Sequence, residues 1–125
     1  MSASILIADD YDDNRELLRL MLATDGYTIR EARNGRECVS MALAEPPDLV
    51  LVDLAMPELD GWGVLRELRA DERTNSIPCV AVSASASAAR ESAIEKGFND
   101  YLPKPFRKQD LLNMVARLVT DNSDR

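Results

Sequence analysis

The chain is predicted to fold as an α/β domain with a doubly wound, five-stranded parallel sheet and five helices. Strand-like apolar runs alternate with helix-like amphipathic runs five times along the 125 residues, which is typical of repeated βα units. Three of the strand-like runs are almost wholly apolar, as expected for strands covered by helices on both faces. Right-handed crossovers then favour the strand order 2-1-3-4-5, with the first and third strands adjacent.

Two strands and one helix are predicted in the first third of the chain. Ile5–Ala8 is the first strand, and a helix begins at about Asp12 or Asp13 and ends near Gly26. The side chains expected to face inward from this helix are Leu17, Leu18, Met21 and Leu22. Tyr27–Ala32 is a more polar run, which predicts a strand at the edge of the sheet.

Capping and breaking residues bound the middle elements. Asn34 can cap a second helix, and Pro46 and Pro47 end that helix before a third strand, Leu49–Asp53. The remaining elements are predicted to be a helix over Gly61–Asp71, a strand over Cys79–Ser83, an alanine-rich helix ending near Gly97, a short strand over Asn99–Leu102 and a helix over Lys108–Thr120.

The composition predicts one domain that does not bind nucleic acid. Because 46% of the residues are hydrophobic, we expect residues 1–125 to form a single domain with its core at about residues 4–120. The 22 acidic residues outnumber the 15 basic ones and give a formal charge of −7. That charge repels both nucleic acid and anionic membranes.

The sequence also indicates a cytoplasmic location. The first residues, Met1–Ser4, carry no basic segment that would indicate a signal peptide, and no apolar run reaches membrane-crossing length. Cys38 and Cys79 lie far apart, one in a predicted helix and one in a predicted strand. This spacing favours reduced core thiols over a disulfide or a zinc motif.

Polar residues mark the ends of several predicted strands. Asp9 and Asp10 come directly after the first strand, and Asp53 ends the third. In a doubly wound sheet, ligands bind beyond the carboxyl ends of the strands where the winding reverses, here between strands one and three. Ser83 ends the fourth strand at the same edge, and Lys104 follows the fifth. Because three nearby carboxylates repel one another, at least one should have a raised pKa in the absence of a cation.

A divalent cation would neutralise this group of acids. Mg²⁺ is the best candidate, because it prefers oxygen ligands and commonly binds one or two carboxylates together with a phosphate. The chain has no histidine to favour zinc. Asp10 and Asp53 could bind Mg²⁺ directly, and the backbone carbonyl of Ala55 could supply another oxygen. Asp9 could bind it through water.

Asp53 is the predicted phosphoryl acceptor. A carboxylate beside a metal can attack phosphorus directly and form an acyl phosphate. Lys104 and Ser83 are expected to bind the phosphoryl oxygens, and a metal together with a lysine supplies the charge stabilisation that this transfer requires. The labile product suits a timed signal.

The same residues carry a family resemblance. The chain resembles the receiver domains of two-component response regulators, of the single-domain chemotaxis type, from Ile5 to about Val119. The matching features are the acid pair Asp9 and Asp10, the segment MPELDG shortly after Asp53, Ser83 followed by Ala84, and the run Lys104, Pro105 and Phe106. The resemblance implies the flavodoxin-like form of the predicted fold.

The resemblance also implies a set of roles. A partner histidine kinase or phosphotransfer protein would phosphorylate Asp53, Lys104 would contact the phosphoryl group, and the peptide bond from Lys104 to Pro105 would be cis. The implied magnesium ligands are Asp10, Asp53 and the Ala55 carbonyl, with Asp9 alongside. Such a domain catalyses only its own phosphorylation and dephosphorylation and is not otherwise an enzyme.

A conformational switch is part of what the resemblance implies. The hydroxyl of Ser83 would move toward the phosphoryl group while Tyr101, three residues before Lys104, turns inward. The movement would alter the face formed by helix four, strand five and helix five, through which a downstream protein target would bind.

Three positions are less standard for this family. Ser83 stands where threonine is commoner, and it lacks the methyl group but keeps the hydroxyl donor. Ala55 and Ser85 occupy the variable positions two residues past Asp53 and Ser83. Their small side chains leave the attacking water neither shielded nor positioned.

Other classes of protein account for fewer of these residues. A phosphatase of the haloacid dehalogenase type also uses an aspartate, Mg²⁺, a hydroxyl and a lysine, but its nucleophile normally lies on the first strand, and the chain lacks the length for a cap. A flavodoxin shares the sheet order but requires glycine and hydroxyl residues where Asp9, Asp10 and Tyr11 stand. A pseudo-receiver acting only as an adaptor would have lost the acceptor, the acids or the lysine, and all are present.

Overall fold

Five βα units follow one another in the computed structural model, which describes residues 3–84 and 88–123. The strands are β1 (Ser4–Ala8), β2 (Thr28–Ala32), β3 (Leu49–Asp53), β4 (Cys79–Ser83) and β5 (Asp100–Pro103). The helices of the described residues are α1 (Asp12–Ala23), α2 (Gly35–Ala44), α3 (Gly61–Arg69), α4 (Ala88–Lys96) and α5 (Lys108–Ser123).

The strands form one parallel sheet in the order β2-β1-β3-β4-β5, which confirms the predicted topology. In its register, Ala8 of β1 lies opposite Val52 of β3, and Asp53 lies opposite Val82 of β4. The residues that follow β1 and those that end β3 and β4 therefore meet at one edge. The more polar strand β2 lies at the side of the sheet, as predicted.

Successive side chains of each strand point to opposite faces of the sheet, so two hydrophobic clusters form, one on each face. Val50 and Val52 of β3 belong to the first cluster, together with buried residues of α2, α3 and α4. Leu49 and Leu51 belong to the second cluster, together with buried residues of α1 and α5. Burial of β3 on both faces explains why its sequence is continuously apolar.

The prediction for the inner face of α1 was wrong at Leu17. Leu18 and Leu22 are buried, but Leu17 is 49% exposed. The buried positions of this helix are Arg15, Leu18 and Leu22, spaced three and four residues apart on one face. Since successive residues on a helix are turned by about 100°, Leu17 points away from that face. A buried arginine occupies the inward position in the first turn instead.

Most other predicted boundaries differ from the structure by only one or two residues, as is usual at helix ends. The side chain of Asn34 caps α2 as predicted, because it accepts a hydrogen bond from the backbone N–H of Glu37 at 2.8 Å. Gly26 follows α1 with a φ of 79°, a conformation that glycine adopts at little cost. No helix in the described ranges has the length and apolar character needed to span a membrane.

Both cysteines are free and buried, as predicted. Burial raises the pKa of Cys38 to about 12, with smaller contributions from Cys79 and Glu37. Burial likewise raises the pKa of Cys79 to about 11, against the lowering effect of Arg69. Both thiols therefore stay protonated at neutral pH.

We expect the folded protein to resist thiol modification at pH 8, because only the thiolate is nucleophilic and both thiolates are suppressed. Ellman's reagent should react with Cys38 and Cys79 on the order of a hundredfold more slowly in the folded protein than in urea. The control is the end point in urea, where both thiols must be detected. A native protein in which either thiol reacts at the unfolded rate would contradict the structure.

Candidate functional site

A cleft of about 500 Å³ lies at the edge of the sheet where β1, β3 and β4 end. The residues that line it are Asp10, Tyr11, Asn14, Asp53, Ala55, Ser83, Ala84 and Lys104. Asp9 is almost fully buried, at 2% exposed. The structure thus brings together the acids, the hydroxyl and the lysine that the sequence predicted at this edge.

Three carboxylates dominate the site. Asp9, Asp10 and Asp53 each offer an oxygen atom, and these atoms lie within 4.8 Å of one another. Burial raises the pKa of Asp53, and the charge of Asp9 raises it further. A hydrogen bond from the backbone N–H of Ala55 and the ammonium of Lys104 oppose this rise. The predicted raised pKa in the acidic group is therefore found at Asp53.

Lys104 supplies the positive charge of the cleft. Its Nζ lies 3.2 Å from Oδ2 of Asp53 and 3.3 Å from Oδ2 of Asp9. Burial lowers the pKa of Lys104, but the two carboxylates outweigh burial and its pKa lies above the usual value. The backbone N–H of Lys104 donates to the carbonyl of Ser83 at 2.8 Å, and the bond from Lys104 to Pro105 is cis.

Asp9 and Asp10 have different hydrogen-bond environments. Asp9 accepts bonds from the backbone N–H of Tyr11 at 2.9 Å and from Asn14 Nδ2 at 3.3 and 3.4 Å, besides Lys104. By contrast, Oδ1 of Asp10 is buried and has no hydrogen-bond partner among the described residues. A buried carboxylate oxygen without a donor is costly, so Asp10 is the acid that most needs a cation.

The chemistry of this donor set fits a divalent metal. Three carboxylates lie close enough to share one ion. Within the described residues, Lys104 pairs with Asp9 and Asp53 but not with Asp10. Ala55 lines the same cleft, two residues past Asp53. Oxygen-rich sites of this kind suit Mg²⁺, which retains water ligands and binds few carboxylates.

Arg15 is a structural feature of the site that sequence reasoning missed. It is 6% exposed, its Nη1 donates to the backbone carbonyl of Asp9 at 2.7 Å, and its Nε donates to Oε1 of Glu31 at 3.2 Å. It also contacts Asp12. Arg15 therefore ties the end of β1 to β2. The sequence feature that could have identified Arg15 is its position three residues before Leu18, on the inward face of α1.

Gly61 allows the chain after β3 to pass close to the acceptor strand. A β-carbon at Gly61 would lie 2.6 Å from the carbonyl oxygen of Asp53, which is too close for any other residue. The N–H of Gly61 donates to the carbonyl of Leu54 at 3.1 Å. Oδ1 of Asp60 accepts from the N–H of Gly63 at 2.9 Å and caps α3. These contacts set the path of the loop that carries Ala55.

Ser83 and Tyr101 lie beside the cleft on neighbouring strands. Ser83 is 5% exposed and Tyr101 is 2% exposed. The hydroxyl of Tyr101 donates to the carbonyl of Ser83 at 3.5 Å, so the ring points inward in this structure. Ser85, the small residue predicted to leave the attacking water unshielded, lies outside the described residues.

Comparison with known proteins places the chain and its fold in one class. The chain belongs to the family described as the response regulator receiver domain, whose sequence model matches residues 5–116. Receiver domains of two-component systems are signalling domains rather than classical enzymes. They interact with histidine kinases or phosphotransfer proteins and typically bind Mg²⁺ at an acidic pocket.

Two relatives illustrate the similarity in sequence. The chain is 38% identical to an uncharacterized 14.6 kDa protein from Leptolyngbya boryana over 90% of this chain and 87% of that protein. It is 37% identical to the response regulator MprA of Mycolicibacterium vanbaalenii over 95% of this chain, but it spans only about half (51%) of that relative's length.

A solved structure is similar as well. It is the receiver domain of the sensor histidine kinase PA1611 from Pseudomonas aeruginosa PAO1, with a magnesium ion coordinated in the active site cleft. The two chains are 32% identical and superpose with a TM-score of 0.88, over 96% of this chain and 99% of the other.

The contacts of Arg15 generate a stability prediction. Arg15→Met should lower the free energy of unfolding by about 1–3 kcal/mol, because it leaves the buried carbonyl of Asp9 without its donor. Arg19→Met is the matched control, since Arg19 also pairs with Glu31 at 3.2 Å, whereas the hydrogen bond to the Asp9 carbonyl comes from Arg15. That variant should lose under about 1 kcal/mol. Urea unfolding measures both, and equal losses would contradict the role given to Arg15.

Proposed function

We propose that this chain is a phosphoacceptor switch in which Asp53 receives a phosphoryl group from a partner histidine kinase or phosphotransfer protein. The observation that carries the proposal is the placement of Asp53. Its carboxylate lies at the end of a central strand, 3.2 Å from Lys104 Nζ, and accepts a bond from the N–H of Ala55 at 2.8 Å. We also propose that residues 1–125 act as one receiver domain, with its core at about residues 4–120.

Mg²⁺ is the proposed cofactor. Asp10, Asp53 and the backbone carbonyl of Ala55 would hold it, with Asp9 acting through a water molecule. When bound, the ion would neutralise the acids and stabilise the charge on the transferred phosphoryl group. The unsatisfied oxygen of Asp10 supports its assignment as a direct ligand, and the four contacts to Asp9 from protein donors support an indirect role.

The proposed transfer is a direct displacement at phosphorus. A carboxylate oxygen of Asp53 attacks the phosphorus of a phosphohistidine, a P–O bond forms and the P–N bond breaks, and the electron pair leaves with the imidazole. Lys104 lies near enough to bind an oxygen of the phosphoryl group, and Ser83 offers a hydroxyl at the wall of the same cleft. Attack by water on the phosphorus later releases phosphate and restores the Asp53 carboxylate.

A protein target is proposed to bind the face formed by α4, β5 and α5. The residues proposed to switch this face are Ser83 and Tyr101. Tyr101 lies on β5 and contacts the backbone of Ser83 at the cleft. Next to it, Asp100 contacts Arg90 of α4 at 3.5 Å and also contacts Arg117 of α5. One carboxylate therefore links the three elements, which supports their responding together.

The geometry disfavours a phosphatase of the haloacid dehalogenase type. Asp53 ends β3, whereas the nucleophile of such enzymes normally lies on the first strand. A pure adaptor is disfavoured because the acceptor, the acids and the lysine are not merely present but meet in one cleft.

Phosphorylation can be tested with acetyl phosphate as the donor. Intact mass should show a single, labile phosphoryl adduct that requires Mg²⁺, and Asp53→Asn should abolish it because the amide cannot act as the acceptor. Asp25→Asn is the matched control, since Asp25 is exposed in the turn after α1. Persistent modification of the Asp53 variant would place the acceptor elsewhere. Consumption of the donor without an adduct would favour a phosphatase or very rapid self-dephosphorylation.

Magnesium binding is tested separately from transfer. Asp10→Asn should weaken Mg²⁺ binding at least about tenfold. Mutation of a residue that only hydrogen-bonds to a metal ligand already costs about this much, and loss of a direct ligand should cost no less. Calorimetry without a phosphodonor measures this affinity, and Asp25→Asn should leave it unchanged. If Asp10→Asn binds Mg²⁺ as tightly as the natural chain, Asp10 is not a ligand.

A further inference from the structure

A second cleft, larger than the acidic one, lies away from the acidic site, between α3 and the end of α4. It has a volume of about 630 Å³ and is lined by Trp62, Leu65, Arg66, Arg69 and Lys96, which we call the α3–α4 groove. None of these residues lines the acidic cleft. The groove therefore requires an explanation of its own.

The groove combines a fixed aromatic surface with apolar packing below it. Trp62 is partly buried and meets the ring of Phe98 edge to face, with the ring centroids 5.7 Å apart. Leu65, one turn further along α3, is 3% exposed and belongs to the first hydrophobic cluster. Aromatic side chains held in this way are frequent anchors of protein interfaces.

Three cations surround this surface, and none has a carboxylate partner within the described parts of the chain. Arg66 and Lys96 are exposed, and Nζ of Lys96 lies 5.9 Å from the centroid of the Trp62 ring. The nearby carboxylate of Glu67 is already paired with Arg36 at 2.9 Å. Most other described cations do form ion pairs, so this group is unusual in a chain with a formal charge of −7.

Arg69 gives the groove a preorganised positive charge. Its Nη1 donates to the carbonyl of Ile77 at 2.7 Å, and its Nη2 donates to the carbonyl of Gly97 at 3.3 Å and to Oδ1 of Asn99 at 3.0 Å. These acceptors are two backbone carbonyls and an amide oxygen, so none of them is a carboxylate that would neutralise the guanidinium. Because its side chain is already ordered, a ligand would lose little entropy in fixing it.

We propose that the α3–α4 groove binds an acidic segment of a partner protein, with carboxylates meeting Arg66, Arg69 and Lys96 and an aliphatic side chain resting on Trp62 and Leu65. Charge complementarity identifies the occupant, because uncompensated cations beside an apolar surface attract an anionic partner that also has an apolar group. Nucleic acid does not fit, since the chain as a whole repels polyphosphates. The groove shares no lining residue with the acidic cleft, so this proposal does not rest on phosphorylation at Asp53.

Trp62 is the only tryptophan of the chain, so its fluorescence reports the groove directly. The probe is a tryptophan-free peptide of twelve residues in which aspartate and glutamate flank two leucines. In buffer containing EDTA and no Mg²⁺, it should produce a saturable change in Trp62 emission that weakens with added salt. A peptide with asparagine and glutamine in place of the acids should not bind. Equal binding of the two peptides would overturn the proposal, as would the absence of a saturable signal.

Matched charge reversals test the residues themselves. Arg66→Glu should weaken peptide binding about fivefold, because it removes one ion pair and adds a repulsion. Lys96→Glu should act in the same direction. Lys108→Glu is the control, because Lys108 is an exposed cation at the start of α5, outside the groove. Circular dichroism checks that each variant is folded.

The outcomes distinguish the alternatives. Weakening by both groove variants but not by Lys108→Glu would support the proposal. Equal weakening by all three would mean a general charge effect and would overturn it. A different result would be displacement of the bound peptide by pyrophosphate at a concentration below that of the peptide. That result would assign the groove to a phosphate ligand and would also overturn the proposal.

Discussion

The ammonium of Lys104 between Asp9 and Asp53 is the interaction on which the site depends. Three carboxylates lie within 4.8 Å of one another at the edge of a nonpolar sheet, where their mutual repulsion is poorly screened by water. Lys104 lies 3.3 Å from Asp9 and 3.2 Å from Asp53 and offsets part of this repulsion. It leaves Asp10 with a buried oxygen that no described donor reaches. The site is therefore electrostatically incomplete in a way that a hard cation can satisfy.

The surrounding fold keeps these charges close. Parallel strands β1, β3 and β4 deliver their carboxyl ends to one edge, and the hydrophobic clusters on both faces hold them there. Arg15 then ties the backbone of Asp9 to Glu31 of β2, and the absence of a side chain at Gly61 lets α3 begin against the backbone of Asp53. The positions of the acids thus follow from backbone contacts on both sides of the cleft.

Charge is distributed unevenly over the molecule. The chain carries a formal charge of −7, and most described cations are engaged with carboxylates, as Arg117 and Arg90 are with Asp100. The cations of the α3–α4 groove differ, because Arg69 is held by backbone carbonyls and an amide oxygen, and Lys96 lies over Trp62. An acidic cleft and a basic groove therefore occupy separate parts of the molecule.

Sequence alone determined the fold class, the strand order and the gathering of Asp9, Asp53 and Ser83 at one edge. These follow from the alternation of elements and from the rule that parallel strands end together, which depend only on local pattern and chain direction. The sequence could not show that Leu17 would face solvent while Arg15 turned inward, because hydrophobicity does not fix the orientation of a helix against its sheet.

Only the tertiary structure decided which acids are satisfied. Asp9 and Asp10 are neighbours with identical side chains, yet donors from α1 and from the loop after β5 reach only Asp9. The α3–α4 groove likewise depends on Lys96 meeting Trp62, residues far apart in the sequence and on different helices. Such contacts require the packed positions of separate elements, and no local pattern encodes those positions.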